Sequence, residues 1–113
     1  MLKLWYIKFS SDTMSLENLD FKEDLDVLFE AVLKLQNIDE CYKFFEDIAT
    51  INELKAISQR IQVAKMLKDK KVYTEIAETT GASTATISRV NKCLNYGEGG
   101  YNIVLERMYP KNN

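Results

Sequence analysis

Helix-breaking residues are scarce in this chain, and their scarcity limits the possible folds more than any other feature. Only one glycine, Gly81, precedes Gly97 in the 113-residue sequence, and the single proline is Pro110. Glycine and proline are the residues that most disfavour helix interiors. Apolar residues also recur at intervals of three and four, which is typical of amphipathic helices. We therefore predict an all-α domain over residues 16–109, followed by a tail at residues 110–113.

Four helices are predicted outside the central motif: residues 16–36, a second that begins after Asn37, a third over 51–68, and a last over 101–109. Thr50 and Glu53 have the spacing of a capping box, which should start the third helix. The residues of this helix predicted to face inward are Leu54, Ile57, Ile61, Ala64 and Leu67. In the last helix the predicted core residues are Ile103, Val104 and Met108.

Residues 1–15 form an N-terminal extension whose role the sequence leaves open. Residues 1–13 are aromatic and apolar, but lysines interrupt them and they are too short to span a membrane. No small-residue cleavage site follows, so an export signal is not expected. Three interpretations remain: a tag sequence, an upstream start that precedes a second one at Met14, or an accessory segment that packs on the domain.

The residue types present argue against catalysis. The chain has no histidine, and its two cysteines, Cys41 and Cys93, do not form a C-x-x-C pair. Histidine-dependent hydrolase sites and the common zinc sites are therefore not expected. Adjacent carboxylates such as Glu46 and Asp47 diverge around a helix. We expect a protein that is not an enzyme, uses no cofactor or metal, and keeps its cysteines reduced in the cytoplasm.

Charge is unevenly distributed along the chain, although the net charge is only −2. Residues 1–54 contain 12 Asp and Glu against 5 Lys, whereas residues 55–113 contain 10 Lys and Arg against 5 Asp and Glu. Binding to DNA phosphates requires local positive charge. The second half is therefore suited to nucleic acid, and the first half to a different partner.

Residues 73–94 have the spacing of a helix-turn-helix. Ala77 is small enough for a second helix to cross against it, and Gly81 falls where the short turn needs a left-handed backbone. Ser83 then provides an N-cap for the second helix. The predicted motif core consists of Ile76, Ala77, Gly81, Ile87, Val90 and Leu94.

The opposite face of the second helix carries small hydroxyl, methyl and cationic groups, namely Thr84, Ala85, Thr86, Ser88, Arg89 and Lys92. Such groups can enter a DNA major groove without steric conflict. The alternative interpretation is a plain helical hairpin with a solvated polar face. The combination of a small residue, a turn glycine, an apolar seam and this polar face favours DNA binding.

The segment GASTATISR at residues 81–89 resembles the start of the recognition helix in bacterial Trp repressors. The wider chain resembles the YerC/YecD group of Trp repressor-like proteins in residues 38–47, 58–67 and 89–97, and the likeness covers about residues 20–109. This resemblance implies about six helices and a homodimer whose subunits interlock through the helices before the motif. The dimer core would comprise Leu28, Phe29, Val32, Phe44, Phe45, Ile57 and Ile61.

The resemblance also implies which residues contact DNA. Base contacts would come from Thr84, Ala85 and Ser88, which share one face of a helix. The lysines that flank the motif are added to the predicted phosphate contacts. The full set is Lys68, Lys70, Lys71, Thr74, Thr86, Arg89 and Lys92.

Two positions depart from the family pattern. Val90 stands where Trp repressors have a glycine that opens the indole pocket, so the valine should fill that slot. A tryptophan corepressor is therefore not expected, and Arg89 would serve a DNA phosphate or an intersubunit carboxylate instead. Val72 stands where a serine often caps the first motif helix, and a missing cap costs about 1 kcal/mol.

The sequence therefore predicts a transcriptional repressor that reads a palindromic operator in double-stranded DNA as a homodimer. The alternative is a helical adaptor that uses its helix-turn-helix to bind another protein. Only a DNA reader should show binding that weakens steeply with salt. No membrane segment is expected, and the sequence identifies no small-molecule effector.

Overall fold

A computed structural model describes residues 16–111 of the chain. The predicted all-α fold is confirmed, since this part contains six α-helices and no strand. The helices are α1 (Lys22–Leu33), α2 (Ile38–Ile48), α3 (Ile51–Lys68), α4 (Tyr73–Thr80), α5 (Thr84–Tyr96) and α6 (Gly100–Met108). None of the described helices is both long and apolar enough to cross a membrane. The interpretations of residues 1–15 concern a segment outside the described residues.

The chain divides into two compact units between Phe44 and Phe45. The described part of the first unit, residues 16–44, contains no buried residue. It begins with a 3-10 turn at Leu16–Asn18, and the prediction of one helix over residues 16–36 was wrong, because α1 runs only from Lys22 to Leu33. The backbone before α1 closes hydrogen bonds between residues three apart, a tighter geometry that does not continue as an α-helix.

Side-chain caps define the starts of α2 and α3. Before α2, the Oδ1 atom of Asn37 accepts from the Glu40 amide at 2.9 Å, and the Glu40 carboxylate accepts from the Gln36 amide at 3.0 Å. Before α3, the Thr50 hydroxyl accepts from the Glu53 amide at 3.1 Å, and the Glu53 carboxylate accepts from the Thr50 amide at 2.9 Å. The hydrogen bond from the Thr50 backbone lowers the pKa of Glu53. The predicted capping box and the bounds of α3 are confirmed.

The core of the second unit lies among α3, α4, α5 and α6. Its buried apolar residues are Val63, Ala64, Ile76, Ala82, Ile87, Val90 and Leu105. Val63 and Ala64 are neighbours on α3 and point in different directions, yet both are fully buried because helices pack on more than one side of α3. Burial of each valine or isoleucine side chain contributes roughly 1.5–3 kcal/mol. This small core is what holds the two motif helices in place.

The packing corrects the predicted inward face of α3. Of the five residues predicted to face inward, Ala64 is buried and Leu67 is partly buried against the core, while Ile57 and Ile61 remain 49% and 39% exposed. Val63, which the pattern missed, is fully buried. A single inward-facing stripe of apolar residues is expected only for a helix that packs on one side. The C-terminal half of α3 meets several helices, whereas its N-terminal half contains no buried residue.

Helix α6 closes the core through Leu105, which is 4% exposed. The prediction that Ile103, Val104 and Met108 fill this role was wrong, since each stays about half exposed, at 49%, 47% and 55%. Tyr101 lies one turn before Leu105 on the same face and packs against the core. Its partial burial raises the pKa of the phenol. The inward face of α6 is therefore set by Tyr101 and Leu105.

Large apolar side chains remain exposed on the helices before the motif. They include Val27, Phe29, Leu33, Ile38, Tyr42, Ile48, Ile51, Ile57 and Ile61. None of the seven residues predicted for the dimer core is buried within the single chain. These helices therefore present apolar surface for which the single chain provides no cover.

Candidate nucleic-acid interface

Helices α4 and α5 form a helix-turn-helix joined by residues 81–83. Gly81 lies in the left-handed region at φ +75°, and its amide donates to the Ala77 carbonyl at 2.9 Å at the end of α4. A Cβ atom at this position would meet only Gln59 Nε2, at 3.9 Å. The backbone conformation, not a lack of space, is therefore the reason for glycine here.

Hydrogen bonds brace the turn between the two helices. The Thr80 hydroxyl accepts from the Ala82 amide at 3.1 Å, and the Gln59 side chain of α3 donates to the Thr80 carbonyl at 3.1 Å. The Ser83 hydroxyl accepts from the Thr86 amide at 3.1 Å and caps α5. Helix α5 therefore leaves the turn in a direction fixed by both α3 and α4.

Apolar side chains lock α4 against α5. Ile76 and Ile87 are fully buried and Val90 is 1% exposed. Ala77 and Leu94 are partly buried and pack against the same core. Every residue predicted for the motif core, apart from the turn glycine, thus lies in or against the core. One side of α5 is consequently committed to packing.

The residues predicted to contact bases lie on the outer side of α5. Thr84 and Ala85 are exposed, and Ser88 is half-buried. Thr86 is also half-buried, and its hydroxyl accepts a hydrogen bond from the Ser83 hydroxyl at 3.1 Å. Thr86 therefore helps to cap α5, a role that the sequence prediction of a phosphate contact did not include.

The residues predicted to bind phosphate come from α3, α4, α5 and the link between α3 and α4. Apart from Thr86, which is half-buried, all of them are exposed: Lys68, Lys70, Lys71, Thr74, Arg89 and Lys92. Helix α4 starts after Val72, which supplies no side-chain cap. The cationic residues Lys70 and Lys71 thus lie just before the uncapped start of α4.

A groove lined by lysines and asparagines lies beside these residues, and sequence reasoning missed it. Its lysines are Lys68, Lys70, Lys71 and Lys111. Its volume is about 580 Å³, and no carboxylate of the described residues lines it. We call it the lysine groove.

Three asparagines line the lysine groove as well, Asn91 and Asn95 from α5 and Asn102 from α6. Asn91 and Asn95 follow Thr84 by seven and eleven residues, so helical spacing could have placed them on the side of α5 that carries Thr84 and Ser88. No such pattern pointed to Lys111, which lies beyond the last helix. Its position in the groove follows only from the packing of α6.

Comparison with known proteins identifies the family to which this helix-turn-helix fold belongs. The family described as Trp repressor protein matches residues 23–109 of the chain. The chain belongs to the Trp repressor family. It is 50% identical over 95 residues to the uncharacterized protein YerC of Bacillus subtilis (strain 168), and the match covers 84% of this chain and 90% of YerC. The resemblance drawn from the sequence is confirmed.

Two crystal structures are similar to this Trp repressor family protein in both fold and sequence. A candidate Trp repressor from Staphylococcus aureus matches with a TM-score of 0.80 at 48% identity, over 89% of this chain and 100% of that chain. A Trp repressor-like protein from Eubacterium eligens ATCC 27750 matches with a TM-score of 0.75 at 54% identity, over 80% of this chain and 94% of that chain. The protein therefore has the regulatory, DNA-binding fold of the Trp repressor family, which is not an enzyme fold.

Proposed function

We propose that this protein is a transcriptional repressor that reads a palindromic operator in double-stranded DNA as a homodimer. The observation that carries the proposal is the division of α5 into two sides. Ile87 and Val90 are buried in the core, while Thr84 and Ala85 are exposed on the outer side. A helix held from one side, with small groups on the other, fits the roughly 12 Å wide major groove.

Base discrimination is assigned to Thr84, Ala85 and Ser88. Hydroxyl groups can donate to or accept from base edges, and an alanine methyl can contact the methyl group of thymine. Since these side chains are short, we expect bridging waters and DNA shape to contribute part of the selectivity.

Positive charge near the motif supports binding to DNA phosphates. The side chains of Lys70, Lys71 and Lys92 form no ion pair within residues 16–111. Each lysine that neutralises a phosphate releases counterions, so binding should weaken steeply as salt rises. This dependence distinguishes a DNA reader from the helical adaptor, because an adaptor has no need of cations around the motif.

The exposed apolar surface of the helices before the motif supports the homodimer. A second copy would cover side chains such as Phe29, Ile57 and Ile61, which are 46%, 49% and 39% exposed in the single chain. A two-fold dimer would present its two α5 helices to successive major grooves, roughly 34 Å apart, which matches a palindromic operator. We place this activity in the cytoplasm, where Cys41 and Cys93, which form no disulfide in the structure, would stay reduced.

Selection of genomic DNA fragments by the purified protein, at low and at high salt, tests the proposal. The Ser88→Glu variant places a carboxylate on the base-reading side of α5. The matched control, Asn52→Glu, adds the same charge at an exposed position in the first turn of α3, where the helix dipole favours it. We expect the wild type and the control to enrich one palindrome, and Ser88→Glu to enrich none.

Other outcomes would revise the function. Salt-sensitive retention without an enriched sequence would limit the protein to nonspecific DNA binding. No retention of DNA at either salt concentration would contradict the proposal and favour the adaptor. A circular dichroism melt of Ser88→Glu checks that the absence of a palindrome does not reflect an unfolded variant.

A further inference from the structure

The lysine groove concentrates positive charge beside α5. Three of its four lysine ammonium groups form no ion pair or side-chain hydrogen bond within residues 16–111. The fourth, Lys68 Nζ, donates to Asn102 Oδ1 at 2.8 Å, and Asn102 Nδ2 donates to the Leu94 carbonyl at 3.3 Å. These two hydrogen bonds therefore hold one wall of the groove in place. The positive charge of the other three lysines is not neutralised by any ion pair within the described residues. Such a cleft attracts an anion.

Lys70 has a backbone conformation that glycine usually takes. Its φ is +65°, and no other non-glycine residue in the described part of the chain has a positive φ. The Lys70 amide donates to the Leu67 carbonyl and the Lys71 amide to the Met66 carbonyl, both at 3.0 Å, in the pattern that commonly ends a helix with glycine. A side chain is disfavoured in this region, and backbone strain of this kind tends to occur at functional sites. What lysine adds over glycine is an ammonium group in the groove.

The groove also continues the base-reading side of α5. Residues 84, 88, 91 and 95 follow at spacings of four, three and four, so Asn91 and Asn95 lie in line with Thr84 and Ser88. At a rise of about 1.5 Å per residue, Asn95 lies roughly 10 Å along the helix from Ser88. This length is comparable to the roughly 12 Å width of the major groove. When Ser88 faces the bases, Asn95 therefore reaches the level of the DNA backbone.

We propose that the lysine groove binds phosphate groups of the DNA backbone at the edge of the major groove that α5 reads. Lys70 and Lys71 supply the charge, and Asn91 and Asn95 donate amide hydrogen bonds. This inference rests on the proposed DNA-binding function. The groove volume of about 580 Å³ is large enough for a stretch of backbone and not only a single ion. Phosphate contacts carry no base code, so the groove would set the position of α5 along the DNA.

The Lys70→Gly variant separates a structural role of this residue from a DNA-binding role. Glycine relieves the left-handed strain and removes the ammonium group, so the melting temperature should rise while DNA affinity falls. The slope of log affinity against log salt should become shallower by about 0.9 for each phosphate that the variant no longer neutralises. The effect should be equal on operator and unrelated DNA. Fluorescence anisotropy of the full chain at several salt concentrations measures the slope, and a purely structural role would change the melting temperature alone.

Two further variants control this experiment. Lys55 is exposed on α3, roughly 20 Å along the helix from Lys68, so Lys55→Gln removes one charge outside the groove and should leave the salt slope unchanged. Asn95→Asp puts a carboxylate into the groove without touching the link between α3 and α4. It should weaken binding to every DNA sequence without changing the sequence that is preferred.

The outcomes separate this inference from the proposed function. If the wild type retains DNA and neither Lys70→Gly nor Asn95→Asp changes the salt slope or the affinity, the groove assignment alone is overturned. If the wild type retains no DNA, both proposals fail. Titration with tripolyphosphate tests whether the groove binds a small phosphate ligand instead of the DNA backbone. Saturable micromolar binding that Lys70→Gly removes, together with an unchanged DNA salt slope, would assign the groove to a small phosphate ligand and overturn the DNA assignment.

Discussion

Val90 shows how one side chain limits what α5 can bind. It lies in the core with 1% of its surface exposed, together with Ile87 and Ile76. Trp repressors resemble this chain around the position but have a glycine there, which opens a pocket for indole. A buried valine occupies volume that a ligand would otherwise need, and overpacking such a site is unfavourable. We therefore infer that the proposed repressor does not depend on tryptophan.

L-Tryptophan is expected to leave the melting temperature of the wild-type protein unchanged. A ligand at about a hundred times its Kd would stabilise the native state by about 2.7 kcal/mol. In a domain of this size, that energy corresponds to roughly ten degrees. Scanning fluorimetry with and without tryptophan measures the shift. Val90→Gly provides the comparison. This variant should be less stable alone, and tryptophan should raise its melting temperature. A clear shift in the wild type would refute the inference.

Two left-handed residues show what sequence can reveal at the scale of single residues. Gly81 was predictable, since a glycine between two amphipathic segments indicates a turn that requires positive φ. Lys70 was not, because lysine has no preference for that region and the end of α3 gave no other signal. The strain at Lys70 depends on where α3 ends and α4 begins, which the local pattern did not specify.

At the scale of elements, α4 differs from α5 because it has no polar residue at its N-cap position. Val72 occupies its N-cap position and makes no side-chain cap, whereas Thr50 caps α3 and Ser83 caps α5. The first amides of α4 consequently lack the hydrogen bonds that a polar cap would provide. With only eight residues, α4 relies on Ile76 in the core to stay in place.

Replacing Val72 with serine should stabilise the protein by about 0.5–2 kcal/mol, since a serine at this position would cap the first turn of α4. Glu75 stands three residues later and would complete a capping box. Urea unfolding followed by circular dichroism measures the change. Val72→Ala is the matched control, because it removes the valine without supplying a hydroxyl. Equal stability of the two variants would show that capping does not limit α4.

Capping signals also explain which elements the sequence predicted well. The start of α3 and the turn into α5 were predicted correctly because Thr50, Glu53 and Ser83 act on backbone amides three residues away. The start of α1 was predicted wrongly. No capping side chain marks it, and Phe21 at its N-cap position makes no cap hydrogen bond. Without a local signal, apolar periodicity alone extended the helix too far.

At the scale of the whole molecule, the single chain leaves much apolar surface uncovered. The second unit has a compact core around Val63 and Ile87, whereas the described part of the first unit has no buried residue. Chains of this length bury a smaller share of their surface than larger domains do, so cover from a second subunit contributes a larger share of stability. The proposed homodimer would provide that cover.

The Ile57→Glu variant should dissociate the proposed homodimer. Burying an unpaired carboxylate at an apolar interface is strongly unfavourable, and replacing the isoleucine also removes apolar packing. Asn52→Glu is the control, because Asn52 is an exposed polar residue at the start of the same helix and lies outside the predicted dimer core. Analytical ultracentrifugation should find dimers for the wild type and the control, and monomers or unfolded chains for Ile57→Glu. A monomeric wild type would contradict the homodimer.

The sequence by itself determined the helical class, the family, the capped starts of α2, α3 and α5, and the turn at Gly81. These features depend on residues within about four positions of each other, or on a motif long enough to be recognised. Only the tertiary structure decided that Val63 joins Ala64 in the core, that Leu105 closes it, and that Lys111 meets the end of α3 in the lysine groove. Burial and charge clustering depend on which helices meet, and one helix's own periodicity does not contain that information.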